Sequence, residues 1–522
     1  MTITAGTSRR LRPEAAAPPR GEAVVPPGDG PGPRPGARSR PGGPESRPRE
    51  QAEAARAALR RRFWATVPAR LRLLRAATVL LATALVVLLT LAGFAAVGTW
   101  NTVAGRDAPR TTSAADLELA LNDMDAQAAN LLLANGDAGK GRLRTPYEKA
   151  VGFYGDARDR IGHDLRTLAV AAQGDRGDER TVESLTDSFA EYQELVGRAL
   201  ENDDHTGGRT AALTDYRRAT DLLQRQLLPR ARKLVSSNNA VFNSEYTAAS
   251  STLSAQLTAV VALGVLLLAV LGLLQRYLSR RFQRTLNASM LAATVCTLLA
   301  VLLGVQLLSA TGENLCGARR DAFDSVVALS RARAIAYDAN ADESRYLLDP
   351  QRRDQYARSF LAKSQELYGI QGTTLDTYDA QLAATWREYE AHHQDLRFTG
   401  EFRRELDNIT FAGERGAAEK TVETYAVYQR DDRKIRALLA AGREREAVEF
   451  CMGWEPGTSN AHFEAWMDAL DKVTAINQRH FDGFVAAGRS DVTGLLPWAL
   501  AALLATTALT ALGLRPRLAE FR

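Results

Sequence analysis

Four blocks of about twenty residues, none holding a Lys, Arg, Asp or Glu, constrain this chain more than any other feature. They span about 76–98, 257–275, 287–309 and 493–514. A helix needs roughly 20 apolar residues to cross the hydrocarbon core. A soluble helix of that length is rarely apolar all round. The blocks therefore predict four transmembrane helices and an all-α membrane protein. The mean hydropathy of -0.22 conceals them, because it averages over long polar stretches. The first block begins too deep in the chain, is too long, and lacks the small-residue cleavage site of a signal peptide.

Orientation follows from arginine. Arg60, Arg61, Arg62, Arg70, Arg72 and Arg75 precede the first span. Arg276, Arg280, Arg281 and Arg284 sit in the hairpin 276–286, and Arg515, Arg517 and Arg522 in the tail 515–522. Four crossings put all three clusters on one side, which the positive-inside rule makes cytoplasmic. Residues 1–98 carry 16 Arg against 6 acidic residues, while 99–253 and 310–492 are net acidic at −4 and −7. The overall charge of +5 thus reflects topology and attraction to anionic lipid, with no call for nucleic-acid binding.

Residues 1–50 form a Pro/Gly/Arg tract with too few large apolar residues to fold, so a disordered cytoplasmic tail is expected. Residues 51–75 read as a basic juxtamembrane helix on the inner leaflet. The segments 99–256 and 310–492 show helical apolar spacing. Helices are expected near 111–135, 144–171, 179–201 and 209–256, then near 318–348, 351–396, 416–448 and 459–492. The outermost helices of each set should run on from the flanking spans. Each segment then makes an extracytoplasmic up-down four-helix bundle standing on two membrane helices, two in tandem.

Short matches support a duplication. Residues 125–130 (DAQAAN) pair with 338–343 (DANADE) at an offset of 213, and 190–193 (AEYQ) with 426–429 (AVYQ) at 236. The change in offset implies about 23 extra residues near 393–415, at the membrane end of the second bundle.

No phosphate loop, kinase signature or nucleophile elbow is present. His392 and His393 point apart on a helix and have no evident third metal ligand. No catalytic residue, metal site or cofactor is expected. The spans hold no ionisable residue, which argues against an ion-coupled carrier. Cys296 reads as a small apolar packing residue in mid-span. Cys316 and Cys451 both fall on the oxidising side, where a disulfide is favoured. Yet Cys316 should lie beside the membrane and Cys451 at the far tip, roughly 50 Å away at 1.5 Å per residue, against about 7 Å for a bridge. Either the bundle is not a simple one or the two thiols are not paired with each other. In the first helix of each segment small and polar residues alternate. One reading is tight packing with a solvated acidic stripe. The other is a partner or ligand face comprising Asp125, Asn130, Asp338, Asn340, Asp342 and Arg345.

The order of tail, span, helical outer domain, two-span hairpin, second outer domain and last span brings a family into view. Residues 338–349 (DANADESRYLLD), 428–448 (YQRDDRKIRALLAAGREREAV) and 227–239 (LLPRARKLVSSNN) carry the likeness. Over about 76–514 the chain resembles the actinobacterial GlnX family of four-span membrane proteins. Its outer domains also resemble the four-helix sensor domains of chemoreceptors. The resemblance implies a non-catalytic transducer. It would relay the state of an extracytoplasmic solute-binding lipoprotein, loaded with aspartate or glutamate, to a cytoplasmic Ser/Thr kinase of the PknG type. Two other readings stay open: a scaffold or accessory subunit of a transporter or envelope complex, and a chemoreceptor-like protein that binds a small molecule directly.

Overall fold

The computed structural model describes residues 67–135, 143–282, 287–394 and 397–519. The expected tail (1–50), residues 51–66 of the juxtamembrane segment, 283–286 of the hairpin and 520–522 lie outside them.

Helix α1 (Val67–Thr102) contains the first apolar block. A π-helical turn, Val103–Asp107, joins it without a break to α2 (Ala108–Asn135). Helices α3 (Arg144–Ala171), α4 (Arg176–Asp204) and α5 (Arg209–Leu222) follow. A second π turn, Leu223–Leu227, leads into α6 (Leu228–Phe282), which contains the second block. The third block lies in α7 (Ala288–Cys316), whose N-cap Asn287 accepts a hydrogen bond from the backbone N–H of Ser289. A third π turn, Gly317–Phe323, connects α7 to α8 (Asp324–Leu348). Four helical runs, within 69–135, 209–280, 288–348 and 459–515, are long and apolar enough to cross a membrane. The chain is a multi-pass membrane protein. Leu80, Phe94, Val265, Leu302, Trp498 and Leu504 are exposed along these helices, as faces turned to lipid require.

In the first outer segment the expected helices match those observed. The second departs in two places. The helix expected over 351–396 is split into α9 (Arg353–Leu367) and α10 (Tyr378–Ala391). Residues 368–377 leave the helical path because Gly369 pairs by two backbone hydrogen bonds with Thr399 and Gly372 takes φ +72°. The helix expected over 416–448 is α12 (Glu414–Ala440) and α13 (Glu444–Met452), parted where Gly442 turns at φ +73°. The surplus near 393–415 holds the short α11 (Glu401–Asp407). Asn408, just beyond it, donates to the carbonyls of Arg320 and Asp321 in the third π turn. The last helix, α14 (Ser459–Ala519), runs unbroken through the fourth block.

The two segments between the spans share one core, and the second segment has another of its own. One apolar cluster gathers Leu121, Met124, Tyr192 and Tyr216 from the first segment with Leu347, Leu348, Cys451 and Met452 from the second. The other is aromatic, built around Tyr425, Tyr428, Phe463 and Trp466. Helix α2 explains the joining. Every residue from 117 to 134 is buried, because α2 packs against α3 on one side and α8 on the other. Ala120, Ala126, Ala128 and Ala129 let those neighbours come close. Between the membrane helices glycine has the same role. A Cβ on Gly304 would come within 2.9 Å of Leu89, and one on Gly264 within 2.5 Å of Val301.

Candidate functional site: a buried ionic seam

The α2–α8 contact brings the expected face residues together, but not at a surface. Asp125 is 0% exposed, Asn130 3%, Asp338, Asn340 and Asp342 2% each, and Arg345 1%. The solvated stripe is therefore corrected: these side chains form a seam between the two outer segments. Arg345 is its centre. Its guanidinium donates to Asp125 across the seam, to Asp342 one turn back at 2.6 Å and to the hydroxyl of Tyr216 at 3.3 Å. Tyr192 also donates to Asp125, at 2.8 Å. Ser344 donates to Asn130 at 2.7 Å. Lys363 of α9 reaches both Asp338 and Asp342. Gln224, carried by the second π turn, donates to Asp338 at 2.8 Å. Arg217 grips Asp349 through both guanidinium arms.

Charges removed from water persist only when paired. Burial opposes the Arg345 charge, yet Asp125, Tyr216 and the two helix-mate carboxylates outweigh it and hold the proton more tightly than usual. Burial likewise works against ionised Asp338, but Lys363 and Arg345 prevail and draw its pKa below the ordinary value. A turn away the balance reverses. Glu343 is 1% exposed, and burial with the nearby Asp432 and Asp431 pushes its pKa well up. Tyr428 and Ser459 donate to it, at 3.3 Å each.

Sequence reasoning found the face and missed its partners. Positions 338, 342, 345 and 349 follow the period of one helix face, a signal of shared burial as much as of solvation. Lys363, Gln224, Tyr216 and Arg217 carry no local signal, since each reaches the seam from another helix. Cys316 and Cys451 are both free thiols. The disulfide is not formed. Cys451 lies buried in the shared core, its Sγ 3.9 Å from Glu343.

Cavities flank the seam. One of about 900 Å³ lies toward the membrane, with Glu118, Arg232, Arg331 and Glu405 on its wall. Both Glu405 carboxylate oxygens are buried, and burial next to Glu414 pushes its pKa to about 7. Another of about 410 Å³ opens on the opposite side, between α3, α8 and α14. Beneath the seam, the third π turn holds Arg319, which is 3% exposed, against Asn239 at 2.8 Å and over the Phe242 ring at 4.9 Å.

Residues 99–247 match the model of a family described as an actinobacterial sensor domain. That stretch covers α2 to α5, the second π turn and the outer part of α6, and so supplies one wall of the seam. No curated protein and no solved structure matches the chain significantly. The match supports a sensing role for a membrane protein of this architecture.

Proposed function

We propose that the chain is a non-catalytic transmembrane transducer of the GlnX kind. It reads an extracytoplasmic solute-binding lipoprotein loaded with aspartate or glutamate and passes the state to a cytoplasmic Ser/Thr kinase. The observation that carries this reading is the mechanical continuity of the sensor segment. Helix α2, buried against both outer segments, is the same helical run as α1, and α8 is the same run as α7. Each run has a π turn a few residues beyond its apolar block. A π turn is a one-residue insertion that recurs at functional sites, where helices adjust their rotation. A binding event outside that moves α2 against α8 moves two membrane helices with them, by the small shifts such interfaces make. The ligand supplies the bias only through its different affinity for two arrangements. The similar placement of the first and third π turns supports duplication of a span–domain–span unit. The basic clusters favour a cytoplasmic location for both termini.

The test is crosslinking of the full-length protein in its native membrane, with and without external glutamate or aspartate, followed by mass spectrometry of what co-purifies. Recovery of a solute-binding lipoprotein and a Ser/Thr kinase, altered by amino acid, is the expected result. Recovery of only permease or envelope-assembly subunits, unchanged by amino acid, would replace the reading with a scaffold.

A further inference from the structure

The cavity of about 410 Å³ between α3, α8 and α14 has the size and lining of a small-molecule site. Its floor is the seam itself: Gln127, Asn130, Asn340 and Asn460 lie buried there. Asn460 is 5% exposed, and its side-chain nitrogen has no hydrogen-bond partner among the described residues. A buried N–H left unmade costs about 1–3 kcal/mol, so this donor marks a place for an acceptor from outside.

The walls are aromatic. Phe153 and Trp454 meet at 5.5 Å on one side, and Tyr337 and Phe463 at 5.1 Å on the other. The face of Trp454 already carries a cation, the ammonium of Lys149, 4.0 Å from the ring centre.

The mouth is acidic. Two of its carboxylates are matched, Asp123 by Arg160 and Asp471 by Arg333. Asp156, Glu464 and Asp468 line the same cavity, and no ion pair engages them among the described residues. A neighbouring cavity shares Asp156, Arg160 and Arg333 and adds Asp159 with Asp116 and Asp164, the last pushed by burial to a pKa of about 7 and so only partly charged. Excess negative charge beside low-dielectric aromatic walls draws cations and repels anions.

We propose that this cavity binds a small organic ammonium compound. Its charge sits between Asp156 and Asp468, its apolar body lies between the aromatic pairs, and a hydrogen-bond acceptor at its other end meets Asn460. The inference rests on the sensor reading, since ligand wedged between α3, α8 and α14 bears directly on the α2–α8 seam. The excess of carboxylates disfavours free glutamate or aspartate here. Those amino acids would have to be read by a partner, and this site is a second input.

The test uses the full chain in lipid nanodiscs without any partner, so its failure leaves the lipoprotein reading untouched. Binding is measured by calorimetry and by the change in tryptophan fluorescence. The probes are tyramine, which has an ammonium, a ring and a hydroxyl, and its anionic counterpart 4-hydroxyphenylacetate. Tyramine should bind and the anion should not. Asp156→Asn and Asp468→Asn, both at exposed positions that folding tolerates, should each weaken tyramine about tenfold, the loss expected for about 1.4 kcal/mol. Trp454→Phe should abolish most of the fluorescence change. Absence of tyramine binding, equal binding of the anion, or unchanged affinity in both aspartate variants would overturn the proposal.

Discussion

Replacing Arg345 by Leu should do more damage than any other single change in the outer part. The guanidinium is 1% exposed and faces Asp125 and Asp342, each 2% exposed or less, with Asp338 at 3.7 Å. Without it, Lys363 still neutralises Asp338 and Asp342, but the Asp125 carboxylate is left with the Tyr192 hydroxyl, while Tyr216 reaches the Asp125 backbone carbonyl. Breaking a buried pair by removing one partner costs about 3–5 kcal/mol, because a charge is left without compensation. At about 2.1 cal/mol/K per residue over the roughly 340 residues of the two joined segments, each kcal/mol shifts melting by about 1.4 °C, so melting should fall by roughly 4–7 °C. The assay is thermal unfolding of the full chain in nanodiscs, followed by circular dichroism. The double variant Arg345→Leu/Asp125→Leu should recover part of the loss, since the orphaned charge is gone. A drop below about 2 °C for Arg345→Leu, or strict additivity in the double variant, would refute the seam as the clamp between segments.

Two further changes probe the levels between the seam and the membrane. Glu405 has a folded-state pKa of about 7 against an ordinary 4.5, so folding favours its protonated form. Wild-type stability is then fully present below about pH 4.5 and declines as pH rises through about 7, by at most about 3 kcal/mol. Glu405→Gln should flatten that decline in melting curves taken from pH 5 to 8, and an unchanged pH profile would count against the buried carboxyl as its source. At the membrane margin, a Cβ on Gly488 would lie 2.2 Å from the fully buried Trp100 ring. Gly488→Ala should cost about 1–3 kcal/mol by overpacking, and the double variant with Trp100→Leu should restore most of it. Equal melting of Gly488→Ala and wild type would show that α1 and α14 part there freely.

The sequence by itself determined the four membrane helices and nearly all of the first outer segment. An apolar run without charge has one stable solution in lipid, and the breaks around residues 174 and 207 are glycine turns visible in the chain. It also singled out the face of Asp338, Asp342 and Arg345, because their spacing is that of one side of a helix. It could not say whether that face met water. A buried ionic face and a solvated one have the same pattern, and they differ only in whether a distant helix supplies the counter-charges. Here Asp125 and Lys363 supply them from α2 and α9. The breaks at 368–377 and near Gly442 were equally hidden, since Gly369 leaves its helix to pair with Thr399, thirty residues away. The π turns depend on tertiary contact in the same way. Gln224 leaves the regular helical spacing where it bonds Asp338, a residue 114 positions later in the chain. Helix and span are set by neighbours along the chain. Seam, cavity and turn are set by which helices meet, and only the folded structure decides that.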